Sequence, residues 1–469
     1  MKRFRIALIE SGALSTHVFS RTYLPRTGLP TIGAVLKNLG YECDIWFESM
    51  SCVDLNMLRD YDIVGIGSVT NTISHAYRLA DSLKRTGGPI VIMGGPHVTF
   101  MPEEALGHCD YVVMGEGEET FPALISALEN ARSLEGIAGL AYRPESGGVR
   151  ITKSGGPVDF AALPSPDYSL SPQVRSGKIP PIITTSRGCP HDCIFCSVTA
   201  VFGRKYRFKG NEQVIDELRP ILNRSVCFGD DNFFANTKRT KSLLKEMISK
   251  DAVPLRWSAE MAVKAAFDEE LLILMNMTRC RIVYVGIESV DPETLKRYGK
   301  AHEMELTARC VENLHRYDIG IHGMFVVDAE DTPETVRKIV DYAIATDIDT
   351  IQIMSLTPFP GTRSYQEYQD RLLHRDWQYF DGMHVVVTPK SCSAYDMQMA
   401  IINQMQRFYS ISRVIGAYRK GRSWRIKYRA GGHYLMKKWV KENADYLDRL
   451  KNDYYPLPRR EPILAETGT

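Results

Sequence analysis

The chemistry-bearing residues of this 469-residue chain concentrate in one short loop, Ser186-Arg187-Gly188-Cys189-Pro190-His191-Asp192-Cys193-Ile194-Phe195-Cys196. Iron–sulfur clusters are held by cysteine thiolates, and four thiolates saturate a [4Fe-4S] cube. CxxxCxxC supplies three, which leaves one iron open. An open metal position marks a site that binds or transforms something, whereas closed sites are structural. Gly188 permits a sharp turn into the loop, and Pro190 stiffens it. Three other readings use the same residues. A zinc site would recruit His191 as its fourth ligand, and a redox pair would join Cys193 to Cys196 but leave the third cysteine without a role. A chance grouping of buried cysteines fits poorly with a polar loop at a strand end. The cluster reading accounts for all three cysteines.

A loop of this kind needs a scaffold, and the hydrophobic pattern supplies one. From Pro181 onward, strand-like runs at 182–185, 225–228, 256–259, 282–287, 320–327 and 350–355 alternate with helical stretches. Six strand–helix units predict a partial or complete (β/α) barrel, with its chemistry at the carboxyl ends of the strands. The cysteine loop follows the first of them. Residues 1–130 show a separate alternation, with strands at 4–9, 42–47, 63–67, 90–93 and 111–114. Such alternation predicts a parallel sheet covered on both faces, a doubly wound, Rossmann-like α/β domain. Residues 131–178 read as a linker, 179–390 as the barrel, and 391–469 as a C-terminal helical region.

Open sheets bind ligands beyond the carboxyl ends of their strands. In the front domain those ends carry Gly67-Ser68-Val69-Thr70, Gly94-Gly95-Pro96-His97 and Gly115-Glu116-Gly117-Glu118. Glycines there let a ligand approach the backbone closely. Ser68, Thr70, Gly94, Gly95 and Gly117 are therefore candidate ligand-crevice residues, with tight βα turns as the plainer alternative.

CxxxCxxC with an aromatic residue before its last cysteine, after the first strand of a βα barrel, resembles the radical S-adenosylmethionine (SAM) superfamily. The resemblance implies that Cys189, Cys193 and Cys196 hold a [4Fe-4S] cluster and that SAM chelates the open iron. It implies reductive cleavage of SAM to methionine and a 5′-deoxyadenosyl radical. Phe195 is then expected beside the adenine. Asp230 or Asp231 is expected on the methionine ammonium, and Ser258, Glu260 and Glu288 at polar contacts to ribose and methionine. For either aspartate a helix cap is an alternative, and for Glu288 a buried, backbone-satisfied carboxylate.

The doubly wound front domain, the LPSPDYSL connector and the stretch from Ser197 to Phe208 make the chain similar to the class with an N-terminal cobalamin (B12)-binding domain. That likeness implies cobalamin in the front crevice, its nucleotide tail lined by the strand-end turns. The Asp-x-His-x-x-Gly signature, which gives a histidine to cobalt in many cobalamin proteins, is absent from the sequence. Two reactions stay open. One is cobalamin-dependent methylation of an unactivated carbon in a natural product or lipid-like molecule. The other is cobalamin-free hydrogen abstraction driving dehydration or epimerisation of an amino sugar, in the manner of an aminoglycoside diol dehydratase. The carboxylates Asp328, Glu330 and Asp331 at a strand end are a candidate site for a cationic substrate, centred on Asp328; a solvated loop before a helix N-terminus is the alternative.

Composition narrows the partners. A formal net charge of +2 gives no reason to expect nucleic acid, whose binding needs clustered cations. No apolar run reaches 18 residues, so no transmembrane segment is expected. Ten cysteines without a disulfide-like framework fit a cytoplasmic protein. The expected partners are a small-molecule substrate and an electron donor of flavodoxin or ferredoxin type. The basic, aromatic stretch 413–441 reads as barrel-covering helices, with an anionic lipid surface as the alternative.

Overall fold

The computed structural model describes residues 3–13, 25–85, 87–174, 180–300, 304–419 and 423–452. The parts of the C-terminal region at 453–469 and of the linker at 175–178 therefore lie outside the described residues. Strands β1 (Arg5–Glu10), β2 (Glu42–Phe47), β3 (Ile63–Gly67), β4 (Ile90–Gly94) and β5 (Tyr111–Val113) form a parallel sheet in the order β2-β1-β3-β4-β5. Their β-branched runs suit strands packed on both faces. Side chains alternate along β1: Ile6 and Leu8 enter one core with Leu36 and Phe121, while Ala7 and Ile9 enter another with Ile73 and Ala76.

The stretch expected to be a linker departs from that reading. Within it β6 (Leu140–Tyr142) and β7 (Arg150–Ile151) add to the front sheet as antiparallel edge strands. Their three- and two-residue lengths gave too little alternation to stand out among the glycines and prolines around them.

The second sheet is parallel throughout: β8 (Ile182–Ile183), β11 (Ser225–Phe228), β12 (Arg256–Met261), β13 (Cys280–Glu288), β14 (Gly320–Val327) and β15 (Thr350–Ser355), in that spatial order. Between β8 and β11 a two-stranded antiparallel ribbon, β9 (Ser186–Arg187) with β10 (Arg207–Phe208), frames the cysteine loop. The six strands make a partial barrel. Trp257, Ala259, Val283, Val285, Ile321 and Ile353 point outward into a core shared with the helices. Alternate residues point into the lumen, as the period of two requires.

The foot of the barrel is closed by the helix Ser423–Glu442. Trp424 stacks on the Arg281 guanidinium at 4.4 Å, and a Cβ on Gly320 would fall 2.4 Å from its ring. Arg425, 1% exposed, reaches Asp347 at 3.0 Å, pairs with Asp349, and lies 3.1 Å from His315. Arg429 is buried and donates to the Asp349 carbonyl at 3.0 Å. The inward cations of this basic stretch are thus spent on loops that precede β15. Among the described residues no helix is long and apolar enough to cross a membrane.

Arg425→Met removes one partner of a buried charged cluster, and uncompensated buried charge costs about 3–5 kcal/mol. A clear fall in thermal midpoint is expected. Lys438→Met breaks only an exposed pair with Glu442 at 3.5 Å and should leave the midpoint nearly unchanged.

Candidate active site

The cysteine loop leaves β9 through Gly188, whose φ of +83° favours glycine. A Cβ there would lie 2.5 Å from the Lys205 carbonyl oxygen. Cys189 and Cys193 are buried and Cys196 partly so. Burial pushes all three thiols up, Cys196 to about 12. Several groups oppose that shift: the His191 backbone and the Asn232 side chain at Cys189, the Val198 backbone at Cys196, and the Lys300 charge near Cys189 and Cys193. Donors aimed at sulfur and one ammonium nearby suit thiolates that carry metal. Among the described residues no three Cys, His, Asp or Glu side chains are gathered to hold a single metal ion, so the zinc tetrahedron with His191 has no geometric support.

The structure separates the two aspartates. Asp230, 1% exposed, accepts from the Thr185 N–H at 3.1 Å and the Thr185 hydroxyl at 2.8 Å, and from the Ser186 hydroxyl. Arg239 lies alongside and bonds the same Thr185 hydroxyl at 2.8 Å. Both oxygens of Asp230 are therefore engaged in holding the start of the cysteine loop, which leaves Asp231 the freer of the two candidate aspartates. Asp231 instead lies within electrostatic reach of Cys189 and Cys196, and burial beside Asp230 raises it to about 6.

Glu260 is open to water from inside the barrel mouth yet surrounded by protein, and burial, with Asp231 the largest of the nearby charges, lifts its carboxyl to about 8. Glu288 follows a register shift in β13 and takes a φ of +65°, an uncommon conformation for glutamate. Its carboxylate pairs with Lys300. Ser258 lies deeper, against Cys227 and Tyr284. Phe195 packs edge-on against Tyr298, ring centroids 5.2 Å apart.

Lys300, Asn232, Tyr284 and His322 were not singled out from the sequence. Lys300 follows a short helix with no motif to mark it. Tyr284 and His322 did leave a signal: with Ser258 and Glu260 they are polar residues at every second position of otherwise apolar strands. Their rings meet at 5.3 Å. Burial holds His322 at about 4, hence neutral at pH 7.

Asp328 is buried, pairs with Arg297 and accepts from the Glu330 N–H at 2.8 Å. Glu330 in turn meets Arg371 at 2.7 Å and Lys390 at 3.1 Å. Two of the three carboxylates of this loop, which precedes the helix Pro333–Ala345, are thus paired with cations from elsewhere in the chain.

In the front crevice the Ser68 N–H bonds the Gly94 carbonyl at 3.0 Å, while its hydroxyl is buried without a partner. Gly95 has φ +112°, and a Cβ on it would fall 2.1 Å from the Ser68 carbonyl oxygen. A Cβ on Gly94 would meet only the Val113 carbonyl, at 3.6 Å. Thr70 is buried beside them. The turn carrying Gly117 behaves differently from the ligand turn expected. Glu116 receives Arg207 through both of its oxygens, at 2.7 and 3.0 Å, and Arg187 at 2.9 Å, and Glu118 pairs with Arg187. That turn ties the front sheet to the cysteine loop.

Comparison with known proteins agrees with this arrangement. The B12 binding domain family matches residues 20–125, and the Radical SAM superfamily matches residues 183–343. An uncharacterized methyltransferase of Pyrococcus horikoshii is 34% identical over 372 residues, spanning 76% of this chain and 80% of that one. The chain belongs to the radical SAM superfamily, in the class with an N-terminal B12-binding domain. That class is the cobalamin-dependent radical SAM methyltransferases, whose cofactors are a [4Fe-4S] cluster, SAM and cobalamin. A bacteriochlorophyllide d C-12(1)-methyltransferase of Chlorobaculum tepidum is 28% identical over 367 residues, 76% of each chain. The cobalamin-dependent radical enzyme OxsB, solved with aqua-cobalamin and SAM bound, shares the fold: TM-score 0.71 over 97% of this chain and 76% of that one, at 16% identity. The dehydratase alternative finds no support among these relatives. The residues present fit the cofactors: three thiols on one loop with donors aimed at their sulfurs, and an unpartnered buried hydroxyl at Ser68 beside a bare Gly94.

Replacing Cys189, Cys193 or Cys196 by alanine should abolish cluster absorbance and SAM cleavage, whereas Cys43→Ala should preserve both. Asp231→Asn should keep iron and sulfide but weaken SAM binding about tenfold, a lost charged hydrogen bond. Asp230→Ala should lower cluster content and thermal midpoint together. Iron, sulfide and equilibrium SAM binding, measured on each variant, check all of these.

Proposed function

We propose that this protein methylates an unactivated carbon of a small, uncharged molecule of natural-product or lipid-like class. The observation that carries the reading is the facing of two sets of strand ends. The end of β5, beside those of β4 and β3 in the front sheet, is pinned to the barrel mouth by Glu116 and Glu118 against Arg187 and Arg207. When bound, cobalamin and the cluster would supply methyl carriage and one-electron cleavage of SAM, in neighbouring spaces.

The chain's own residues take these roles. Cys189, Cys193 and Cys196 hold the cluster, and Asp231 accepts from the SAM ammonium. Phe195 offers the adenine an apolar face whose other side rests on Tyr298. Glu260 and Glu288 bond the polar edges of SAM, and Ser258 sits below them where SAM and substrate spaces meet. Ser68, Thr70, Gly94 and Gly95 line the nucleotide tail of cobalamin. Asp230 and Gly117 are positioning residues. The first fixes the loop start and the second sits in the turn that joins the domains.

The lumen favours an uncharged substrate. His322 is neutral, burial raises the Tyr284 hydroxyl far above neutral pH, and Glu260 is mostly protonated at pH 7. Gln352 adds a buried side-chain amide beside His322. Such a wall donates and accepts hydrogen bonds. A methylase related to this chain acts, by its name, on a bacteriochlorophyllide, a mostly apolar ring system that carries one carboxylate at its edge. An electron donor of flavodoxin or ferredoxin type completes the set of partners.

Protein reconstituted with iron, sulfide and hydroxocobalamin should retain cobalamin through gel filtration. With substrate it should form S-adenosylhomocysteine and 5′-deoxyadenosine in near-equal amounts. Gly94→Trp fills the crevice without a backbone clash and should abolish cobalamin retention and S-adenosylhomocysteine. Release of 5′-deoxyadenosine alone from cobalamin-loaded wild type would count against methyl transfer.

A further inference from the structure

An electron must reach the cluster from outside, and the tip of the cysteine loop offers a short way in. Ile194 and Phe195 enter the core shared by both domains. Cys196 caps the helix Ser197–Phe202, and Asp231, Glu260 and Glu288 occupy the lumen side. Between the two buried cysteines, Pro190, His191 and Asp192 are all exposed. Solvent there is one or two residues from the Cys189 and Cys193 sulfurs.

The rim of this tip is cationic. Arg204, whose side chain is 63% exposed, reaches Asp192 at 3.8 Å and the Pro190 carbonyl at 3.4 Å. Arg363, 54% exposed, reaches the Asp192 carboxylate at 3.3 Å and bonds its carbonyl. Lys205 is exposed and follows Arg204, with its own carbonyl against Gly188. Lys264 is exposed and within electrostatic reach of His191. Asp192 pairs with the two arginines. The two arginines also brace the loop, so its geometry is set before anything docks.

We propose that the loop tip Pro190–Asp192, ringed by Arg204, Lys205, Lys264 and Arg363, is the docking face for an acidic one-electron carrier protein. This rests on the cluster reading above. A positive ring around the shortest path steers an acidic partner and orients it on arrival. One electron leaves the reduced carrier and enters the cluster; the carrier is oxidised by one electron and no proton or bond changes hands at this step. The electron then serves the cleavage of SAM described above.

The test uses full-length protein loaded with cluster and cobalamin, and a purified acidic flavodoxin as probe. Lys205→Glu with Lys264→Glu reverses two exposed charges that make no bond to the loop. With reduced flavodoxin, the KM for flavodoxin in 5′-deoxyadenosine formation should rise about tenfold or more, in line with a changed association rate. Flavodoxin binding measured by fluorescence anisotropy should weaken in parallel. In the wild type, added salt should raise that KM, and less so in the variant. With dithionite, a small reductant that needs no docking, the two proteins should cleave SAM at equal rates. An unchanged flavodoxin KM would overturn the proposal. So would an equal loss with dithionite, which would mean that the lysines act on the site itself. Absence of dithionite-driven cleavage in the wild type would instead defeat the cluster reading.

Discussion

The site depends on a buried exchange of charge between two domains. Arg187 lies in the strand that launches the cysteine loop, and Arg207 in the strand paired with it. Both turn away from the barrel to reach Glu116 and Glu118 at the end of β5. None of the four side chains is more than 10% exposed. Burying such a set carries a desolvation cost that attraction alone need not offset. What it supplies is direction: bidentate guanidinium–carboxylate geometry admits few relative orientations. An apolar patch would hold the domains together while letting them slide. A methyl group passed between them requires reacting atoms within contact distance, so orientation is the property worth the cost. Apolar packing then adds strength around it, with Trp377 against His97 at 4.9 Å and bonded to Glu104 at 3.0 Å.

The barrel solves a second problem by strand periodicity alone. A parallel strand covered by helices on one side normally packs apolar residues on both faces. Here the inward face of β12, β13 and β14 departs from that rule at Ser258, Glu260, Tyr284 and His322. The outward face keeps it, at Trp257, Val283 and Ile321. A sheet that buries one face and hydrates the other can offer hydrogen-bonding groups without weakening its core, because the two sets of side chains never compete for the same space. The foot is closed by Trp424 and the arginines of the last long helix, which leaves the mouth below the front domain for entry.

That division explains what could be read in the sequence. The cysteine triplet was legible because its chemistry is local: three ligands in eight residues need no tertiary contact to be recognised. The strands were legible because β-branched runs and glycine-rich ends repeat. Asp230 and Asp231 were not separable, since adjacent residues share every local feature and differ only in which side of the turn meets Thr185 and Ser186. The pairing of Asp328 was hidden for a related reason. Its neutralising partner Arg297 stands 31 positions earlier, and no local pattern links them. Glu116 and Glu118 were passed over in favour of Gly117 between them because their partners lie 69 to 91 residues on. Pairing at that separation belongs to the fold.

The carboxylates around the thiols form a gradient set by their surroundings. Glu288 has the Lys300 ammonium against it. Asp231 has no such partner in contact and is lifted to about 6 by burial and Asp230. Glu260, deeper and close to Asp231 and Glu288, is lifted to about 8. Near neutral pH the charge on this wall thus declines from the loop toward the lumen. On the roles proposed above, the SAM ammonium would meet an ionised acid beside the thiols, and a protonated Glu260 would mark where the space for SAM gives way to that for a neutral substrate. Like charges that crowd a shared space push their pKa values apart. In this barrel the separation follows the axis along which cofactor and substrate must be told apart.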